Sequence, residues 1–243
     1  MSLGVIELRN YLIKPGMLEH FIDFYEAVLV SLQEDFTMTT LGQFRLEGQA
    51  DRFVFMRGFE DLEARLRAET YFYEGPVWAK FGPVPNSLIE EYHNVHLLRP
   101  LGEIGELTCG RSTREVMAGL ADGTLGPETG SVVVDLYRAK SGLRERLVEA
   151  FQNEIAPAYE HASIQTRGAF VAEMGRNEFT RHPAIQDPDE LVVITAYASR
   201  DACRDQRAQV RPQVEAATKG LLVAAPESLV LRPTLRSVIR YMA

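Results

Sequence analysis

Apolar positions along the chain switch between two periods. From Val5 to Ile13 they alternate as in a strand, and from about Gly16 to Glu34 they follow a 3.6-residue period. That helical stripe runs through Met17, Phe21, Phe24 and Val28, with Leu18, Tyr25, Leu29 and Leu32 beside it, as in a helix laid on a sheet. The same switch returns in a strand over Ser131 to Ala139 and a helix over about Gly142 to His161, carried by Leu143, Leu147, Phe151 and Ile155. The joint itself repeats. Tyr11-Leu-Ile-Lys14-Pro-Gly16-Met17 aligns with Tyr137-Arg-Ala-Lys140-Ser-Gly142-Leu143. Further on, "RFVFMRGFEDLEAR" (Arg52 to Arg65) aligns with "ELVVITAYASRDACR" (Glu190 to Arg204): a strand ends at Phe59 or Tyr197 and a second helix opens, with Asp61 and Ser199 as natural N-caps. "HLLRP" and "LVLRP" read as closing strands, and "GQFRLEG" and "IQTRGAFVAEMG" fill the remaining strand position of each half.

Each half therefore reads β-α-β-β-α-β, the ferredoxin-like unit. Such a unit covers one sheet face with two helices and leaves the other bare, and a bare apolar face needs a cover. The tandem copy supplies it. The expected fold is α+β: two tandem ferredoxin-like repeats, residues 4–101 and 131–243, with their sheets packed face to face as an intramolecular α/β barrel. Residues 102–130 read as a Gly-rich connector with a short helix around Thr113 to Leu120. An insertion, "NEFTRHPAIQDPDE", lengthens the middle hairpin of the second half, and its His182-Pro183 and Asp187-Pro188 steps mark irregular loop.

Composition narrows the function classes. The 243 residues are 46% hydrophobic and 25% charged, with a net charge of -8 and a pI near 5.3. That balance argues against a nucleic-acid partner or an anionic membrane surface, which need a basic footprint. No apolar stretch approaches the roughly 20 residues that span a bilayer, and no signal-peptide pattern opens the chain, so a cytoplasmic location is expected. Cys109 and Cys203 form no CxxC pair and read as reduced thiols. The five histidines include no HExxH, and His93 and His96, three apart, fall on opposite faces of a strand. P-loop, GxGxxG and GxSxG motifs are missing from the sequence. Neither a metal nor a cofactor is expected.

The candidate chemistry starts at "ELRNYLIKPG". One strand face carries Glu7, Arg9 and Tyr11, the other Ile6, Leu8 and Leu12. With the apolar set beneath the helices, the polar set is expected inside the barrel. It would be joined there by Phe55, Arg57 and Phe59 of the third strand and by Asp135, Tyr137 and Tyr197 of the second half. Two readings follow. In one, Arg9 and Asp135, equivalent positions of opposite charge, pair across the barrel, because burying either alone costs several kcal/mol. In the other, these residues line a cavity for a small, partly apolar anion, held by forked guanidinium donors between flat aromatic walls. Tyr11 and His96 are the acid/base candidates. Trp78 reads as core packing, and Arg65 as a helix-surface residue pairing with Glu69 at i+4.

"ELRNYLIKPG", together with "FEDLEARLRAETYFYEGPVWAKF", resembles the NIPSNAP family of the dimeric α/β-barrel superfamily over the first 100 residues. The second half resembles it less: Asp135 stands in place of Arg9, Ser141 in place of Pro15, and Trp78 is the only tryptophan. The resemblance implies the barrel and little chemistry. Its superfamily holds cofactor-free monooxygenases, haem-degrading enzymes, lactone isomerases and plain ligand-binding proteins. With the polar strand face, the expectation is a barrel that binds a small molecule and, if it is an enzyme, one for which the resemblance implies a cofactor-independent monooxygenase or isomerase; the alternative is a non-catalytic scaffold with a structural interior. Superfamily habit points to a homodimer, although the tandem copy makes a monomer sufficient for folding.

Overall fold

In the computed structural model, residues 3–102 and 130–242 are described. Cys109 and the helix expected around residues 113–120 lie outside them. The first repeat runs β1 (Val5–Ile13), α1 (Leu18–Phe24), a π turn (Tyr25–Leu29), α2 (Val30–Asp35), β2 (Thr39–Leu46), β3 (Arg52–Phe59) and α3 (Leu62–Tyr73). It continues through two short helices, α4 (Pro76–Phe81) and α5 (Pro83–Leu88), to β4 (Ile89–Glu91) and β5 (Val95–Pro100). The second runs β6 (Ser131–Arg138), α6 (Arg144–Ala150), a π turn (Phe151–Ile155), α7 (Ala156–His161), β7 (Gln165–Ala172), β8 (Glu190–Tyr197), α8 (Arg200–Ala217) and β9 (Glu227–Pro233).

The duplication holds in detail. Both strand-to-helix joints turn on a glycine with left-handed backbone, Gly16 at φ 74° and Gly142 at φ 77°, a conformation that costs glycine nothing sterically. Both first helices carry their π turn 14 residues past the repeated tyrosine, at Tyr25 and Phe151. Asp61 accepts the Ala64 N–H at 2.7 Å and Ser199 accepts the Ala202 N–H at 3.0 Å, so each second helix is capped as its sequence implies.

The two sheets also join at their edges. β2 pairs with β9 through Phe44–Pro233, and β5 with β7 through Leu98–Ala172. The strand order β1-β3-β2-β9-β6-β8-β7-β5 closes on itself as an eight-stranded antiparallel barrel, with β4 paired to the end of β1. The helices lie outside. Among the described residues, no helix is long and apolar enough to cross a membrane.

The two faces of the strands are the reverse of the expectation. Ile6, Leu8, Val54 and Met56 point into the barrel, where they meet Val132, Val134, Val192 and Ile194 of the second repeat. Tyr11, Phe55 and Phe59 pack under the first repeat's helices; Tyr137 and Tyr197 pack under the second's. The physical reason lies in where partners are available. A closed barrel of this size is filled by side chains from both halves, with little space for water. Charged strand residues are tolerated only beneath a helix that brings opposite charges, and α3 brings Arg65 and Glu69.

A cavity over a buried charge network

β1 presents Glu7, Arg9 and Tyr11 to the helix layer, and β3 places Arg57 directly beside Glu7 in the antiparallel register. From above, α3 lowers Arg65, Glu69 and Tyr73, spaced four apart on one helix face. Glu7, Arg9, Arg57 and Glu69 are wholly buried and Arg65 nearly so. Arg9 forks onto Glu7, with Nε to Oε2 at 2.8 Å and Nη2 to Oε1 at 2.9 Å, and Nη2 also reaches Glu69 Oε1 at 3.0 Å. Arg57 donates to both carboxylates at short range. Arg65 donates through Nε to Glu7 at 2.8 Å and sets Nη2 2.9 Å from Glu69. Burial alone would push the Glu7 carboxyl up, but Arg57, Arg9 and Arg65 outweigh it and hold the group well below the usual carboxylate range.

Three guanidiniums against two carboxylates leave this cluster with one uncompensated positive charge. Part of it is handed on through phenols. Arg9 Nη1 donates to the Tyr11 hydroxyl at 2.6 Å, and Arg57 Nη1 to the Tyr73 hydroxyl at 3.0 Å. Each hydroxyl thus accepts from an arginine and keeps its own proton to give. Burial, opposed by Arg9, raises the Tyr11 phenol to about 12, so it stays a neutral donor at ordinary pH.

A cavity of about 280 Å³ opens in front of these phenols, between the sheet and the first repeat's helices. Tyr11 and Phe55 form its floor; Tyr25, Tyr73 and Trp78 stand around it; Glu90, Tyr92 and Arg181 line it with them. The volume is near the lower end of the roughly 300–1,000 Å³ typical of small-molecule sites. Trp78 comes from α4, which starts at Gly75-Pro76, with extended backbone at Gly75 and proline in the first turn. The buried indole N–H of Trp78 has no partner among the described residues.

Two of the cavity's members, Arg181 and His182, come from the other repeat. The β7–β8 insertion leaves the second repeat as a strap across the first. Ile185 exchanges backbone hydrogen bonds with β5, to Val95 O at 2.7 Å and from Leu97 N at 3.0 Å. Asn177 accepts from Arg65 at 2.8 Å and donates to His182 O at 2.8 Å. So held, His182 places Nδ1 3.0 Å from Glu69 Oε1 and 3.2 Å from Arg9 Nη2, with its ring edge-on to Tyr73. Burial and then Arg9, opposed by Glu69, lower its pKa to about 4, so it is neutral at ordinary pH.

The residues expected from sequence therefore separate. Tyr11 and Phe55 line the cavity, with Glu7, Arg9 and Arg57 directly behind it; Phe59 packs against Arg57, whose guanidinium carbon lies 5.6 Å from its ring centre. Asp135, Tyr137 and Tyr197 belong to the second repeat's helix layer. Arg9 does not meet Asp135, whose partner is Arg207 at 2.8 Å. His96 pairs with Glu190 at 2.9 Å and is not among the residues that line the cavity. Arg65, expected at the surface, is a central member of the network, and Trp78 lines the cavity rather than only filling the core. His182 was hidden in a segment that reads as loop. Its one visible signal was the length of the insertion, which a bare hairpin does not need.

Comparison with known proteins bears on the fold and the family. Residues 6–101 match the NIPSNAP family model. The fold is shared with a candidate monooxygenase from Lactobacillus acidophilus NCFM, at TM-score 0.60 and 11% identity over 96% of this chain and 94% of that one. It is shared also with a candidate monooxygenase from Fusobacterium nucleatum, at TM-score 0.62 and 9% identity over 96% and 93%. A NIPSNAP family protein from Agrobacterium tumefaciens aligns at 22% identity and TM-score 0.38 over 41% of this chain and 94% of its own. No curated protein matches the chain at a significant level. It is thus through residues 6–101, in its first repeat, that the chain is similar to the NIPSNAP family.

Proposed function

We propose that the first-repeat cavity binds a small, flat, partly apolar organic acid in its anionic form. The observation that carries this reading is the uncompensated guanidinium charge behind the Tyr11 and Tyr73 hydroxyls. Both tyrosines line the same cavity, and the hydrogen bonds their hydroxyls accept from Arg9 and Arg57 make them stronger donors. An anionic oxygen seated there would accept from both and offset the buried positive charge, while Phe55, Tyr25 and Trp78 would sandwich its apolar body. The test is a thermal-melt screen against aromatic carboxylates and phenols. Binding to the native state alone raises the midpoint, by about 2.7 kcal/mol of stability at a hundredfold excess over Kd. A rise with the acids and none with their amides is expected; no rise with any acid would overturn the reading.

The catalytic extension is oxygenation or isomerisation of such an acid without a resident cofactor. Two features support it: the shared fold with candidate monooxygenases, and donors aimed where an enolate or phenolate would build up charge. Its test is oxygen consumption by the protein with an added activated phenol. Uptake is expected with the wild type and lost in Tyr11→Phe; no uptake with any activated phenol would leave binding as the function.

A further inference from the structure

The cavity has a group whose chemistry differs from that of its donors. The phenols, indole and guanidiniums give hydrogen bonds or charge to an anion, and the carboxylate of Glu90 lines the cavity with them. His182 can take a proton. It sits against the network on one side and lines the cavity on the other. Nδ1 lies 3.0 Å from Glu69 Oε1 and 3.2 Å from Arg9 Nη2; in the tautomer whose Nδ1–H donates to Glu69, the Nε2 lone pair is free to accept a proton. A histidine oriented by a buried carboxylate is the arrangement that fits an imidazole to accept and return a proton. The groups facing it are Arg9 from β1, Arg57 from β3, Glu69 and Tyr73 from α3, Tyr92 beyond β4 and its own neighbour Arg181.

Resting on the binding reading above, we propose that His182 is the proton-accepting residue of this cavity, delivered to the first repeat by the second. An acidic ligand enters as the neutral O–H or C–H form. Its proton passes to Nε2, the electron pair stays on the ligand as phenolate or enolate, and the resulting anion lies between the imidazolium and the Tyr11 and Tyr73 hydroxyls. The balance is one proton moved and no charge created overall. In the empty cavity burial and then Arg9 oppose protonation of His182; the ligand's anion offsets the arginine part of that opposition, so proton transfer and anion binding favour each other. The tandem repeat then has a chemical role beyond covering a sheet: a single repeat would hold the donors without the base.

The test uses 4-nitrophenol, whose ionised form is coloured, with the full chain at a pH one unit below the probe's own midpoint. Wild-type protein is expected to bind it as the coloured phenolate, raising the ratio of ionised to neutral probe about tenfold on binding, the equivalent of one pKa unit. His182→Gln should still bind the probe, by competition and thermal shift, but leave it mainly colourless. A second measurement needs no variant: on adding probe, the ring-carbon NMR signal of one of the five histidines should move to the imidazolium position. Colour retained in full by His182→Gln, or no histidine becoming protonated in the wild type, overturns the proposal while leaving the binding reading intact. Binding of neither probe nor aromatic carboxylates overturns both.

Discussion

The two repeats have one topology and opposite electrostatics. Where β1 carries Arg9, the equivalent position of β6 carries Asp135; where α3 carries Glu69, α8 carries Arg207. Glu7 is replaced by Val133, Arg57 by Thr195 and Arg65 by Cys203. The second repeat thus keeps one strand–helix ion pair with its signs exchanged. Arg207 forks onto Asp135 at 2.8 and 2.9 Å, and Ser228 bonds to the same carboxylate. That pair is neutral, while the first repeat's cluster is not. The helix layers differ too. α8 runs unbroken for 18 residues, while α3 stops after 12 and hands over to α4 and α5. The residues beyond the break include Trp78 and Pro85, which line the cavity. One topology thus holds a single ion pair in one half and a charged network beside a cavity in the other.

The largest expected effect breaks this difference at its centre. Arg57→Met deletes the guanidinium that bridges Glu7 and Glu69, and with two buried carboxylates less compensated, urea melts should show a loss of roughly 3–5 kcal/mol. The equivalent change in the second repeat, Thr195→Val, removes one neutral hydrogen bond to Tyr197 and should cost about 1 kcal/mol. Equal losses at the two positions would contradict the asymmetry.

The acid side sharpens it next. His182 has a folded-state pKa of about 4 against 6.5 unfolded. Its folded pKa is depressed, so below 6.5 the unfolded chain takes up a proton that the folded chain refuses until about 4. Stability therefore falls as pH drops through that window, by roughly 3 kcal/mol in all. The depressed Glu7 carboxyl acts in the same direction at lower pH, since the stability it contributes disappears as it is forced to protonate. Melts of wild type and His182→Gln from pH 7 to pH 4 should converge, the variant having the flatter profile; parallel profiles would place His182 in an ordinary environment.

Arg207→Met comes third. Its side chain is 29% exposed, so water can partly replace it at Asp135, and the loss should be about 1–3 kcal/mol. Ligand binding in the first repeat should not change, and any change in affinity would show that the halves are not separable in function. The smallest effect is a control. Gly16→Ala and Gly142→Ala each put a Cβ on left-handed backbone with open space around it, so both should cost about 1 kcal/mol and by the same amount. Unequal costs would mean that the two joints differ in ways their φ angles do not reveal.

How much of this was legible in the sequence follows from what periodicity can carry. The Tyr-x-x-Lys-x-Gly joints, the Asp61 and Ser199 caps and the paired closing strands are local signals, and they located the repeats and their elements. Alternation along β1 separated Glu7, Arg9 and Tyr11 from Ile6 and Leu8, but a period of two says nothing about which face is inside. That depends on what the opposite layer offers. Arg65 and Glu69, one helix turn apart, read equally well as an exposed i+4 pair, and only the fold brings them down onto Glu7. The Arg9–Asp135 pairing failed for the same reason, because equivalent positions of two repeats lie in separate helix layers. His182 was out of reach of any local signal, since its role comes from a strap anchored on β5 of the other repeat.

The central claim, that the first repeat's cavity selects an organic anion, has a built-in reporter. Trp78 is the chain's only tryptophan and it lines the cavity. Its fluorescence should respond to 2-naphthoate and to the isosteric, uncharged 2-naphthamide in proportion to their occupancy. The account expects saturable quenching by the acid with affinity at least about tenfold tighter than for the amide, a difference of roughly 1.4 kcal/mol for charge-assisted hydrogen bonds, and a reduced difference in Tyr11→Phe. Equal affinity for acid and amide, or tighter binding of the amide, would contradict it.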